Sequence, residues 1–120
     1  MIEAAEFPDP ARALQYRKHD YWTDRSFHEV LFESARRHPD REVFADANRR
    51  LTYGDLVDQV KRSAAFFIDI GIKPGDVVTV QLPNRVEFPV VFFALELVGA
   101  IANQISPDFR ASELEYILRF

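Results

Sequence analysis

The stretch from Asp76 to Pro107, DVVTVQLPNRVEFPVVFFALELVGAIANQISP, leaves few folds open to this chain. Val77, Val78, Thr79 and Val80 are β-branched where they need to be and bounded by Gly75 and Pro83, the composition of a short strand. Phe88 to Val98 is apolar on nearly every side, so a helix there must be covered from several directions. Gly99 suits the left-handed residue that ends such a helix. Ala100 to Ile105 then reads as a second short strand. Strand, buried helix and strand make a βαβ unit, which requires parallel strands and a right-handed crossover. Asn84 and Glu87 have the spacing of a helix N-cap and its reciprocal partner. Pro89 cannot donate inside a helix, so we expect one irregular turn ahead of it.

The flanks are simpler. Met1 to Arg25 has no sustained period and carries Pro8 and Pro10, which suggests an extended arm with one short helix near Ala11 to Tyr16. Tyr16, Tyr21 and Trp22 are placed to pin that arm to the domain. Ser26 and Glu29 form a capping box, and Phe27, Val30, Leu31 and Ala35 give the following helix one apolar face, stopped at Pro39. Glu42 to Ala45 and Arg50 to Thr52 read as a hairpin, with Asn48 suited to positive φ in its turn. Thr52 caps the next helix, with Asp55 three residues on. Tyr53, Leu56, Val57, Val60, Ala64, Phe67 and Ile68 form its apolar stripe, and Gly71 with Ile72 closes it. Ser112 and Glu115 suggest a last capping box, with Leu114, Ile117 and Leu118 on one face. The pattern is still running at Phe120, which reads as truncation.

The 120 residues include no cysteine, which excludes disulfides, thiolate metal sites and cysteine nucleophiles within them. A net charge of −4 gives no pull toward nucleic acid or an anionic membrane. Arg36-Arg37 and Arg49-Arg50 are isolated pairs, better read as a helix end and a hairpin. The N-terminus has neither a basic nor an apolar leader region, and the run from Phe88 is broken by Glu96 short of the roughly 20 residues a membrane span needs. The expected location is therefore cytoplasmic. His19, His28 and His38 lack metal-ligand spacing and read as surface residues.

Three stretches together resemble the adenylate-forming superfamily of acyl- and aryl-CoA synthetases, aryl-acid AMP ligases, peptide-synthetase adenylation domains and luciferases. LTYGDL (Leu51 to Leu56) resembles its first signature. GIKPGDVVTVQLPN (Gly71 to Asn84) resembles its Gly-Asp strand and Pro-Asn turn. FFALELVGAIANQISPDFRASELEYIL (Phe92 to Leu118) resembles the second signature and the helix after it. The resemblance begins at about Ser26, so the expected organisation is an arm over 1–25 and a ligase segment over 26–120 that stops before the phosphate loop. The implied fold class is α/β, the N-terminal portion of the large ligase domain, with flanking amphipathic helices and a short hairpin. GAIANQISPDFRASEL is most similar to ligases for cyclohexanecarboxylate and short- to medium-chain fatty acids. VQLPN, the Glu87-Phe88 pair and the Tyr21-Trp22 arm instead resemble 2,3-dihydroxybenzoate-AMP ligases. Gln104 departs from the Pro that most relatives carry.

The resemblance implies a two-step reaction. A carboxylate attacks the α-phosphorus of ATP, releasing pyrophosphate, and a thiol, usually that of CoA, then displaces AMP. ATP, Mg²⁺, CoA and a small carboxylic acid are thus implied for the parent enzyme, and none is expected to bind this segment alone. The family's phosphate loop, its ribose Asp and its C-terminal Lys have no counterpart here; the only lysines are Lys18, Lys61 and Lys73. No catalytic or metal-ligating residue is therefore assigned. Arg110 stands where some CoA ligases place a basic residue near the CoA phosphates, although Asp108 lies close and a surface Arg is the plainer role. Asn84 is better read as a cap than as a loop-orienting residue. Ser106 sits in no nucleophile elbow. Glu96, alone in an apolar helix, needs an Arg partner or solvent. The alternative class is a non-catalytic α/β module that binds a protein through its Phe-rich faces. Either way, uncovered apolar surface should make the isolated segment self-associate.

Overall fold

The computed structural model describes residues 9–119. Among them are five helices and four strands: α1 (Pro10–Lys18), α2 (Phe27–Arg37), β1 (Glu42–Ala45), β2 (Arg50–Thr52), α3 (Tyr53–Asp69), β3 (Val77–Val80), α4 (Glu87–Val98), β4 (Ile101–Gln104) and α5 (Ala111–Leu118). The architecture is mixed α/β. No helix among the described residues is long and apolar enough to cross a membrane.

The βαβ unit forms as its sequence requires. β3 and β4 pair in parallel, with Val77 opposite Ile101 and Val80 opposite Gln104. β1 and β2 pair antiparallel in a separate sheet, with an irregularity between Glu42 and Phe44. The helix α4 starts at Glu87, so Pro89 falls in the first turn, where amide donors have no intrahelical acceptor and a missing N–H costs little. Residues 84–86 form the irregular turn ahead of it. Gly99 ends α4 at φ 84°, and a Cβ there would sit 3.3 Å from the Pro74 Cβ. A glycine is thus needed both for the backbone angle and for the close approach that lets the Gly75 N–H donate to the Gly99 carbonyl at 2.8 Å.

The core lies between α2, α3 and α4. Leu31, Leu51, Leu56, Val60, Ala64, Val86, Val90, Ala94 and Val98 form one buried cluster, and α3 packs most extensively on α4. Leu56 and Val60 are wholly buried; a side chain of that kind contributes about 1.5–3 kcal/mol on burial. Ser26/Glu29 and Thr52/Asp55 form the expected capping boxes. α3 ends as expected too, with the Ile72 N–H on the Phe67 carbonyl and Gly71 at φ 98°.

Several expectations need correction. The short helix expected near Ala11 to Tyr16 is present but longer: α1 runs for nine residues, capped by Asp9. The segment 1–8, with Pro8, lies outside the described residues. Tyr16 stacks at an angle on Tyr21 and Trp22, and His19 lies flat on Tyr21, so these rings pack within the arm rather than pinning it to the domain. Of the apolar face expected for α2, only Leu31 is buried, and Phe27 is 67% exposed. Ile68 likewise falls off the buried stripe of α3. Asn48 does not take positive φ; Asp46 builds the turn instead, its Oδ1 accepting from the Asn48 and Arg49 amides at 2.7 and 2.8 Å. The last helix starts two residues early, with Arg110 rather than Ser112 at its N-cap. Glu113, not Glu115, reaches back, to the Arg110 amide at 3.0 Å. α5 buries none of its residues, and Phe120 lies outside the described set.

Candidate functional site

Ligands of open α/β sheets collect at the carboxyl ends of parallel strands. Here that edge is formed by Gln81 to Asn84 after β3 and Ile105 to Arg110 after β4. The two loops are held together by one side chain. Gln81 Nε2 donates to the carbonyls of Ser106 at 3.1 Å and Phe109 at 2.9 Å. Ser106 Oγ accepts from the Asp108 amide at 3.2 Å, so the hydroxyl shapes the loop. Leu82, Asn84, Phe88, Gln104, Ile105 and Pro107 line a cavity of about 300 Å³ at this edge.

The turn at residues 84–86 separates that cavity from a larger one of about 520 Å³, lined by aromatic rings of α2, β1 and α4 and by Arg85. α4 has no side-chain cap of its own, and the Asn84–Glu87 cap is not made. The hairpin supplies the anchor instead. Asp46 Oδ2 accepts from the Val86 amide at 3.1 Å, and Arg49 forms an ion pair with Glu87. The Val86 N–H, followed by the Asn48 and Arg49 amides, holds the Asp46 carboxyl below its ordinary 3.8. One carboxylate thus sets both the hairpin turn and the mouth between the two cavities.

A second long-range polar contact fastens α2 to α4. Glu96 Oε2 accepts from the His28 backbone amide at 2.9 Å and from His28 Nδ1 at 2.8 Å. A carboxylate can only accept, so Nδ1 carries the proton. Ser26 Oγ lies 3.3 Å from Nε2 on the other side of the ring. His28 is therefore half-buried and paired, not the surface histidine expected, and Glu96 finds a histidine where an arginine or solvent was expected. The odd acid in an apolar helix was the visible signal; its partner, 68 residues earlier, was not.

Arg110 is exposed at the N-cap of α5, its backbone amide on Glu113. Asn84 is exposed in the turn. No group of three His, Cys, Asp or Glu among the described residues could hold a metal ion, and Lys61 is engaged over the Phe32 ring at 5.4 Å. No step of adenylation is assigned to these side chains.

Residues 31–120 match the family model described as AMP-binding enzyme. A salicyl-AMP ligase / salicyl-S-ArCP synthetase of Mycobacterium tuberculosis is 45% identical over 113 residues, covering 89% of this chain and 20% of its own length. A 2,3-dihydroxybenzoate-AMP ligase of Bacillus subtilis is 37% identical over 108 residues, 90% of this chain and 20% of its own. The apo structure of MbtA from Mycobacterium smegmatis superposes with a TM-score of 0.86 at 42% identity, over 93% of this chain and 21% of that one. The chain thus spans about a fifth of the length of these relatives. The two ligases among them are aryl-acid ligases by name, which corrects the leaning toward cyclohexanecarboxylate and fatty-acid CoA ligases. The residues behind that leaning build β4 and the loop stapled by Gln81.

Proposed function

The chain belongs to the AMP-binding enzyme family, and on that premise we propose that it is the N-terminal segment of an ATP-dependent aryl-acid ligase. Residues 26–120 form the ligase segment and 1–25 its arm. The proposed substrate is a hydroxybenzoate such as salicylate or 2,3-dihydroxybenzoate. Its carboxylate oxygen bonds to the α-phosphorus of ATP as pyrophosphate leaves, and a thiol then takes the aryl group as AMP leaves. With ATP as co-substrate, the proposed location is cytoplasmic. The observation that carries this reading is the 45% identity over 89% of the chain to a salicyl-AMP ligase.

In this reading the segment is scaffold. Asp46 and Gln81 hold the loops at the strand ends, and chemistry belongs to the remainder of the enzyme. Arg110 is proposed to pair with a phosphate of the thiol substrate, whether CoA or a carrier-borne thiol. Its exposure at the edge of the site supports this; the carboxylates of Asp108 and Glu113 oppose it. The test is ATP–pyrophosphate exchange by the full protein that carries this chain, offered salicylate, 2,3-dihydroxybenzoate, cyclohexanecarboxylate and a medium-chain fatty acid. Exchange with the aryl acids is expected to exceed the others by about tenfold or more. Preference for an aliphatic acid would overturn the assignment. Arg110→Ala should leave exchange intact and slow only thioester formation.

A further inference from the structure

We propose that the aromatic cavity between α2, β1 and α4 is a docking groove for an apolar, carboxylate-bearing segment from the part of an adenylate-forming ligase that lies outside this chain. The inference rests on the function proposed above. The groove is preassembled: the Phe27 and Phe92 ring centroids are 6.0 Å apart, and Phe92 meets Phe93 edge-on at 5.4 Å. Phe27 and Phe44 nevertheless stand 67% and 38% exposed at its lip. Rings held in place by their neighbours yet left in water mark a surface that gains by being covered.

Charge narrows the occupant. Arg85 lines the same groove, exposed and without an ion pair among the described residues, whereas nearby Arg49 and Glu87 satisfy one another. A fitting segment brings apolar side chains for the rings and an Asp or Glu for Arg85. A second copy of this chain fits poorly, because a two-fold contact through the groove would bring both Arg85 side chains into one interface. The relatives supply the better candidate. This segment is a fifth of their length, so a large body of chain is available to pack against it.

The experiment compares the same substitutions in two settings: the 120-residue chain alone, and a chimera in which it replaces the matched fifth of the Mycobacterium tuberculosis salicyl-AMP ligase. Phe27→Asp should leave the melting temperature of the isolated chain unchanged and lower that of the chimera by several degrees. Arg85→Glu should do the same more weakly. Equal effects in both settings, or a chimera that does not fold, would overturn the proposal. So would an isolated chain that sediments as a dimer and becomes monomeric with Phe27→Asp, since a second copy would then be the occupant. If the full protein shows no exchange with aryl acids while the chimera still responds to Phe27→Asp, the groove assignment stands and the substrate assignment falls.

Discussion

The α2–α3–α4 cluster and the β3–β4 pair sit side by side in one chain, and they are finished to different degrees. In the helical cluster Leu56, Val60 and Ala94 are wholly buried. In the strand pair Val77 and Ile101, directly opposite each other, are 64% and 56% exposed. Both outer strand edges also lack partners among the described residues. Parallel strands are normally covered on both faces, so this ribbon has the chemistry of an interior and the surroundings of a surface. The radius of gyration, 17.2 Å, agrees: a compact chain of this length would have about 13–14 Å. The difference teaches that the local βαβ pattern suffices to pair the strands but not to cover them.

The sharpest way to break this contrast is Leu56→Ala. If the helical cluster holds the chain together, this change should destabilise it by about 2–5 kcal/mol, measured by urea unfolding. A loss no larger than that of a surface change would show that the cluster is not the stable unit. Gly99→Ala tests the seam between the regions. It forces a side chain into the left-handed region and against Pro74, so a loss of about 1–2 kcal/mol is expected, with weaker protection of the β4 amides in hydrogen exchange.

Acid should loosen the hairpin's hold on α4. Asp46 and Asp55 are both held below 3.8, Asp46 first by the Val86 amide and Asp55 first by the Thr52 amide. Below that value the unfolded chain binds more protons than the folded one. This part of the stability is therefore complete above about pH 4 and fades as pH falls through the depressed folded values. Asp46→Ala should flatten the acid limb and speed exchange of the Val86 amide, because it removes both acceptor oxygens. An unchanged Val86 rate would remove Asp46 from its anchoring role. The smallest effect is expected in the ribbon. Ile101→Lys should alter unfolding by no more than about 0.5 kcal/mol, yet reduce self-association of the isolated chain seen by sedimentation velocity. A large stability loss would mean the ribbon is better covered than Ile101 suggests.

Much of this was legible in advance. The helix caps at Ser26 and Thr52, the glycine stops at 71 and 99, the hairpin and the parallel ribbon were all readable, because each depends on residues within a few positions of one another. Misreadings arose where periodicity predicted burial that the packing did not supply, as for Phe27, Val30 and Ile68. They arose again where a local cap competed with a distant one. Asn84 and Glu87 had the right spacing, but Asp46 and Arg49 arrived from the hairpin and took the turn. The substrate class was split between two signatures, and the one that leaned toward aliphatic acids lay in scaffold residues.

By itself, then, the amino-acid order settled what is local: where backbone amides find caps, where glycine admits a left-handed turn, and which strands a short crossover can align. Tertiary structure alone decided that Asp46 reaches the Val86 amide, that His28 answers Glu96, and that an aromatic groove stays open beside Arg85. Those contacts join residues 40 or 68 positions apart. Spacing along a chain carries no trace of such meetings, because they exist only after the helices have packed.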